Sequence, residues 1–186
     1  VAEVRAVTRF AALLRGINVN GITITMSDLR DVFQAIGLTG VRTVLASGNV
    51  LFDTDETDAA EITARIERAL RETFGYEAWI VLVDIGTLAG VVRDFPFDPG
   101  REGWHSYVLF GSDRAVLDEL ATASPGLDPA VEKVEAGVDV LYWQVLRSIG
   151  VASAFSRVTG KARYRQSTTT RNLRTLNKLL AAPPAG

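Results

Sequence analysis

Apolar positions along this chain follow two rhythms, and their alternation predicts the elements. Phe10 to Leu14 is a near-continuous apolar run, which predicts a central strand over Arg9 to Leu14. Leu29, Val32, Phe33 and Ile36 then recur at helical spacing. Ser27 stands where an N-cap is expected, Asp28 falls in the first turn, and Gly37 or Gly40 ends the helix. Val41 to Ala46 and Val50 to Asp53 read as two short strands, or one bent strand, around Ser47-Gly48-Asn49. Asp58 with Glu61 resembles a capping box opening a longer helix whose inner face is Ile62, Ile66, Ala69, Leu70 and Phe74. Glu61–Arg65 and Glu67–Arg71 are spaced to pair along its wet side, and Gly75 closes it. Trp79 to Val83 reads as a buried strand, and Leu88, Val91 and Val92 mark a short helix.

Asp94-Phe95-Pro96-Phe97-Asp98-Pro99-Gly100 interrupts the pattern, and a second series begins after it. Tyr107 to Phe110 predicts a strand, and Val116, Leu117 and Leu120 a helix from near Ser112. Val131 to Val134 and Val138 to Trp143 flank a turn at Ala136-Gly137. Val151 to Val158 predicts a helix, and Leu173, Leu176, Leu179 and Leu180 form a last helical face before Pro183-Pro184. The first half reads β-α-β-β-α-β and the second begins the same way. That order predicts an α+β chain of two ferredoxin-like (βαββαβ-type) subdomains with mainly antiparallel sheets, plus a C-terminal helix. A doubly wound parallel sheet is disfavoured, because a hairpin has no crossover helix. The expected divisions are residues 1–94, a linker over 95–105, and 106–186 with a basic C-terminal segment.

Composition narrows the chemistry. The 186 residues include no cysteine and one histidine, His105. Disulfides, thiolate catalysis, and sulfur- or histidine-rich metal sites are excluded. No motif calls for a carboxylate metal site, and no cofactor is expected. The first residues lack a signal-peptide pattern and no apolar run approaches a membrane span, so a cytoplasmic protein with no membrane partner is expected. Net charge is −2 but unevenly spread. Residues 140–186 hold eight basic residues and no acid, whereas residues 1–139 hold twelve basic against twenty-two acidic. The tail therefore either seeks an anionic ligand or nucleic acid, or neutralises its own acidic body.

Three segments share an odd polar chemistry. Arg15-Gly16-Ile17-Asn18 follows the first strand, Ser47-Gly48-Asn49 separates two others, and Thr168-Thr169-Thr170-Arg171-Asn172 precedes the last helix. In a ferredoxin-like unit the first and third strands are antiparallel neighbours, which places the first two segments side by side. Arginine offers a planar fork of donors for phosphate or carboxylate, asparagine donates and accepts, and glycine admits close approach. The expected ligand-binding residues are Arg15, Asn18, Ser47, Asn49, Thr169, Thr170, Arg171 and Asn172, in a cleft between the subdomains. The competing reading makes the first two segments turns and the third a helix cap. Gly16 to Gly21 has phosphate-loop spacing, but Ile22-Thr23 stands in place of the Lys-Ser/Thr pair, which excludes a triphosphate loop. His105 reads as structural, and no Gly-x-Ser-x-Gly elbow is present. Trp79 and Trp143 read as core.

Leu14-Arg15-Gly16-Ile17-Asn18-Val19, Ala46-Ser47-Gly48-Asn49-Val50-Leu51-Phe52, and Thr169-Thr170-Arg171-Asn172 followed by Thr175 and Lys178-Leu179 together resemble the bacterial domain of unknown function 1697 family. The resemblance spans nearly the whole chain. It implies two ferredoxin-like subdomains and no defined activity. Ile22-Thr23-Ile24-Thr25 departs from the basic segment that many members carry there, and Leu173 stands where tryptophan is usual.

Three functions stay open. One is binding of a small phosphorylated or carboxylated ligand, with Arg15 and Arg171 holding the anion. The second is nucleic-acid binding through the basic tail, against which stand a pI near 5.5 and the absence of the aromatic pattern of RNA-recognition modules. The third is a non-enzymatic interaction domain in which the polar motifs only lock structure. Neither enzymatic activity nor oligomeric state is legible.

Overall fold

A computed structural model describes residues 6–17 and 23–183. Two units divide the chain: one takes the chain up to Leu88 together with the stretch from Lys178 onward, the other runs from Ala89 to Asn177.

In the first unit the order is β1 (Thr8–Arg15), α1 (Met26–Ala35), β2 (Thr39–Thr43), β3 (Asn49–Thr54), α2 (Ala59–Phe74) and β4 (Trp79–Asp84). The strands form one antiparallel sheet in the order β2-β3-β1-β4. The short helix α3 (Ile85–Arg93) follows. This is the ferredoxin-like arrangement that the element order predicts. Leu29 and Phe33 of α1, Ile62, Ile66 and Leu70 of α2, and Ala12, Val50 and Phe52 of the sheet are fully buried in one core.

Helix α1 begins earlier than its sequence suggests. Thr25, not Ser27, is the N-cap, its hydroxyl accepting from the Asp28 N–H at 3.1 Å. The reason is an apolar staple: Ile24 before the cap and Leu29 in the first turn are both buried in this core. Asp58 caps α2 as expected, accepting from Ala60 and Glu61, and Gly75 ends it at φ +66°. The anticipated Glu–Arg ladder along α2 does not form. Arg65 pairs with Glu56 at 2.6 Å and Arg71 with Glu77 at 3.6 Å. Glu67 instead accepts from the Ile80 N–H at 3.0 Å, satisfying a backbone donor of the edge strand β4. Each arginine reaches a carboxylate beyond the helix, because a wet-side pair worth tenths of a kcal/mol is easily outcompeted. Trp79, expected in the core, lies only half-buried because β4 is an edge strand.

The second unit repeats the pattern. Its elements are β5 (Trp104–Gly111), α4 (Arg114–Ala121), β6 (Glu132–Ala136), β7 (Val140–Leu146), α5 (Ala154–Thr159) and β8 (Thr168–Asn172); α6 (Leu173–Ala181) follows, and its residues from Lys178 belong to the first unit. The sheet order is β6-β7-β5-β8, again antiparallel. Leu109, Leu117, Leu120, Leu141, Val145 and Phe155 fill the core. Trp143 stacks on Tyr107 at 5.0 Å between ring centres and tilts against Phe155 at 5.6 Å. Its indole N–H donates to Glu132, whose other carboxylate oxygen accepts from the Phe155 N–H at the start of α5. Glu132 is thus a buried acid held by two donors, tying β6 to β7 and α5.

Candidate functional site

The polar corner of the first unit is built by strand register. Leu13 faces Asn49 across β1 and β3, and the Leu14 N–H donates to the Gly48 carbonyl at 2.8 Å. Arg15 and Gly16 therefore run beside Ser47-Gly48-Asn49, as the topology requires. Residues 44–49 close on themselves. The Val44 N–H donates to the Asn49 carbonyl, and the Asn49 side-chain amide donates to the Val44 carbonyl at 2.9 Å and to the Ser47 hydroxyl at 2.8 Å. Asn49 has no exposed surface. Gly48 sits at φ +77°, where a Cβ would come within 2.5 Å of the Ile17 side chain, so only glycine fits without strain. Arg15, at the end of β1, is half-buried and stands opposite Trp79 of β4. Asn18 lies outside the described residues.

The third segment is not simply a helix cap. Thr168–Asn172 is strand β8, pairing with β5 so that Arg171 stands opposite Val108 and Asn172 opposite Tyr107. Three consecutive β-branched threonines suit an edge strand as well as they suit a cap, and here pairing decides. Thr168, Thr169 and Arg171 are buried. The Thr168 hydroxyl donates to the Tyr164 carbonyl at 2.9 Å. The Arg171 guanidinium donates to the Thr169 hydroxyl at 2.7 Å and to the Thr170 carbonyl at 3.0 Å. Asn172 keeps the capping role, its side-chain oxygen accepting from the Arg174 N–H at 2.9 Å as α6 begins.

An open cavity of about 250 Å³ lies where β8 passes into α6. Trp104, His105 and Ser106 of β5, Asn172 of β8, and Arg174 and Asn177 of α6 line it, and Pro99-Gly100 close one side. None of its lining residues is acidic. His105 holds its proton less tightly than an ordinary imidazole, first because it is partly buried and then because Arg147 and Arg174 place positive charge near it. The Arg101 guanidinium stacks over the Trp104 ring at 4.0 Å. The Gln144 amide holds the Ser106 hydroxyl at 3.2 Å and the Asp98 carbonyl at 2.7 Å, fixing the loop before β5 against β7. The cavity thus combines positive charge near His105, side-chain donors and an aromatic side chain, with the Asp98 carboxylate turned to the Gly100 N–H at 2.9 Å on its edge.

Of the described residues expected to bind a ligand, Asn172 lines this cavity; among the bonds of the others are Asn49 to Ser47 within their turn and Arg171 to Thr169 and Thr170 along β8. His105, Arg174 and Asn177 were not assigned to the site by their sequence pattern. Their one signal is the β5–β8 pairing, which sets Asn172 opposite Tyr107, two residues along β5 from His105. That pairing is invisible while Thr168–Asn172 reads as a cap.

No curated protein matches the chain. Among solved structures, the conserved bacterial protein SP0830 from Streptococcus pneumoniae aligns over 95% of this chain and 98% of its own, at 23% identity and a TM-score of 0.79. That is a likeness of fold. An unknown protein from Galdieria sulphuraria covers 90% of this chain and 98% of its own at 13% identity, with a TM-score of only 0.30. The model of the family described as Protein of unknown function (DUF1697) matches residues 7–142, a span that holds the Arg15-Gly16 and Ser47-Gly48-Asn49 corner and the first unit's entire sheet. By that match, and with its motifs standing at the strand ends where the fold needs them, the chain belongs to the domain of unknown function 1697 family.

Proposed function

We propose that this protein binds a small phosphorylated or carboxylated ligand in the second unit's cavity. Arg174 carries the charge pairing, and His105, Asn172 and Asn177 orient the anion. The observation that carries this reading is the lining itself: an arginine, the chain's one histidine and two asparagines around one cavity, with no carboxylate among them. The part of Trp104 that lines the cavity adds apolar surface for the rest of the ligand, Arg101 covering the ring at 4.0 Å. In this reading Asn49, Thr168, Thr169 and Arg171 support the sheet ends rather than touch ligand.

Nucleic-acid binding draws less support. Arg171 is buried, and Arg163 is held by Glu119 and the Tyr164 hydroxyl.

Isothermal titration with a panel of phosphomonoesters and small carboxylates tests the reading. A saturable ligand is expected, with affinity falling about tenfold or more in Arg174→Ala, the loss of one charge-assisted hydrogen bond. Arg163→Ala should bind as the native chain does. Binding that survives Arg174→Ala and His105→Gln unchanged would overturn it.

A further inference from the structure

The first unit carries a second concave surface, of opposite sign. A groove of about 480 Å³ runs between α1 and α2. Its floor includes Val32, Ile36, Ala69 and Phe74, and Asp28, Asp31 and Glu72 rim it. Leu29, Phe33, Ile62, Ile66 and Leu70 of these helices are wholly buried, and the groove opens at the margin of the core they fill. Val32 belongs to that core, and Ile36, Ala69 and Phe74 pack against it while staying half-buried on the groove side. Small side chains keep it open, since Ala35 and Ala69 both line it.

The rim is under-neutralised. Asp31 meets Arg30 only at 3.8 Å, with both side chains largely exposed. Among the described residues no cation stands within 4 Å of the Asp28 or Glu72 carboxylate. Asp28 also suits the positive end of α1, but Asp31 and Glu72 lie beyond the first turns of their helices.

We propose that this groove docks a cationic amphipathic segment of a partner protein. Apolar side chains of that segment would cover Val32, Ile36 and Phe74. Its lysines or arginines would lay their stems along the edge and set their charges on Asp28, Asp31 and Glu72. The same carboxylates repel phosphate, so neither nucleic acid nor an anionic lipid surface fits here.

The test uses the full chain and a fluorescently labelled synthetic helix of leucines on one face and lysines on the other, followed by anisotropy. Saturable binding is expected, weakening with added salt and falling about tenfold in the double variant Asp31→Lys with Glu72→Lys. Ala35→Trp, which fills the groove without changing a charge, should weaken it as much. Circular dichroism and melting temperature establish that each variant folds. Binding undiminished in the folded variants, absence of saturable binding, or equal binding of a leucine–glutamate helix would overturn the proposal. So would self-association of the native chain in sedimentation that Ala35→Trp abolishes, since the occupant would then be a second copy.

Discussion

Gly48 concentrates what the polar corner demands of single residues. It combines a left-handed backbone with Cβ space occupied by Ile17 and Leu14. Gly48→Ala should therefore cost about 1–3 kcal/mol in urea unfolding. Gly126→Ala, where nothing stands within 4 Å, should cost far less; equal losses would show that the corner is not strained toward glycine. The sequence marked Gly48 and Asn49 as unusual without saying why. Asparagine beside glycine reads equally as a ligand-binding loop or a turn, and in the structure the Asn49 amide bonds to Val44 and Ser47. Arg171 carries the same ambiguity. Its fork suits a ligand, yet it donates to the hydroxyl and carbonyl of its own strand.

Helices and strands were more legible than their boundaries. The 3.6-residue rhythm located α1, α2, α4 and α6 because each buries one apolar face, which the pattern reports directly. Caps are decided by finer competition. Thr25 and Ser27 are both good capping residues, and burial of Ile24 and Leu29 selects the first. Thr25→Ala should destabilise the fold by about 1 kcal/mol while Ser27→Ala changes little; thermal or urea melts of the two variants decide, and a reversed order would contradict the assigned cap. Strand β8 escaped the pattern because its pairing with β5 is non-local. No apolar alternation announces a threonine-rich edge strand, and the cavity that depends on it was hidden with it.

At the scale of the molecule, the doubled β-α-β-β-α-β order was readable because each unit must bury one sheet face under two helices. The charge asymmetry was readable as well, but not its use. In the structure the basic residues divide among internal pairs, as at Arg163, and the cavity rim, as at Arg174. The partial burial of His105, with Arg147 and Arg174 beside it, has a consequence for stability. Its folded-state proton affinity lies below the ordinary value of 6.5, so the unfolded chain takes up the proton first as pH falls. The contribution is stabilising above that value and is lost as pH falls through the depressed one. Unfolding free energy without ligand should decline across this window, and His105→Gln should decline less; identical pH profiles would show that the His105 pKa is not depressed in the folded chain.

A bound anion must act on the same group in the opposite direction. Because His105 is the chain's one histidine, its imidazole proton resonance needs no assignment in a tag-free protein. Titrating pH by proton NMR, with and without a phosphomonoester, measures the central claim directly. A free pKa below the ordinary value is expected, with an upward shift on saturation with ligand, tighter binding as pH falls, and loss of the shift in Arg174→Ala. A His105 resonance whose titration is indifferent to a ligand shown to bind elsewhere on the chain would contradict it.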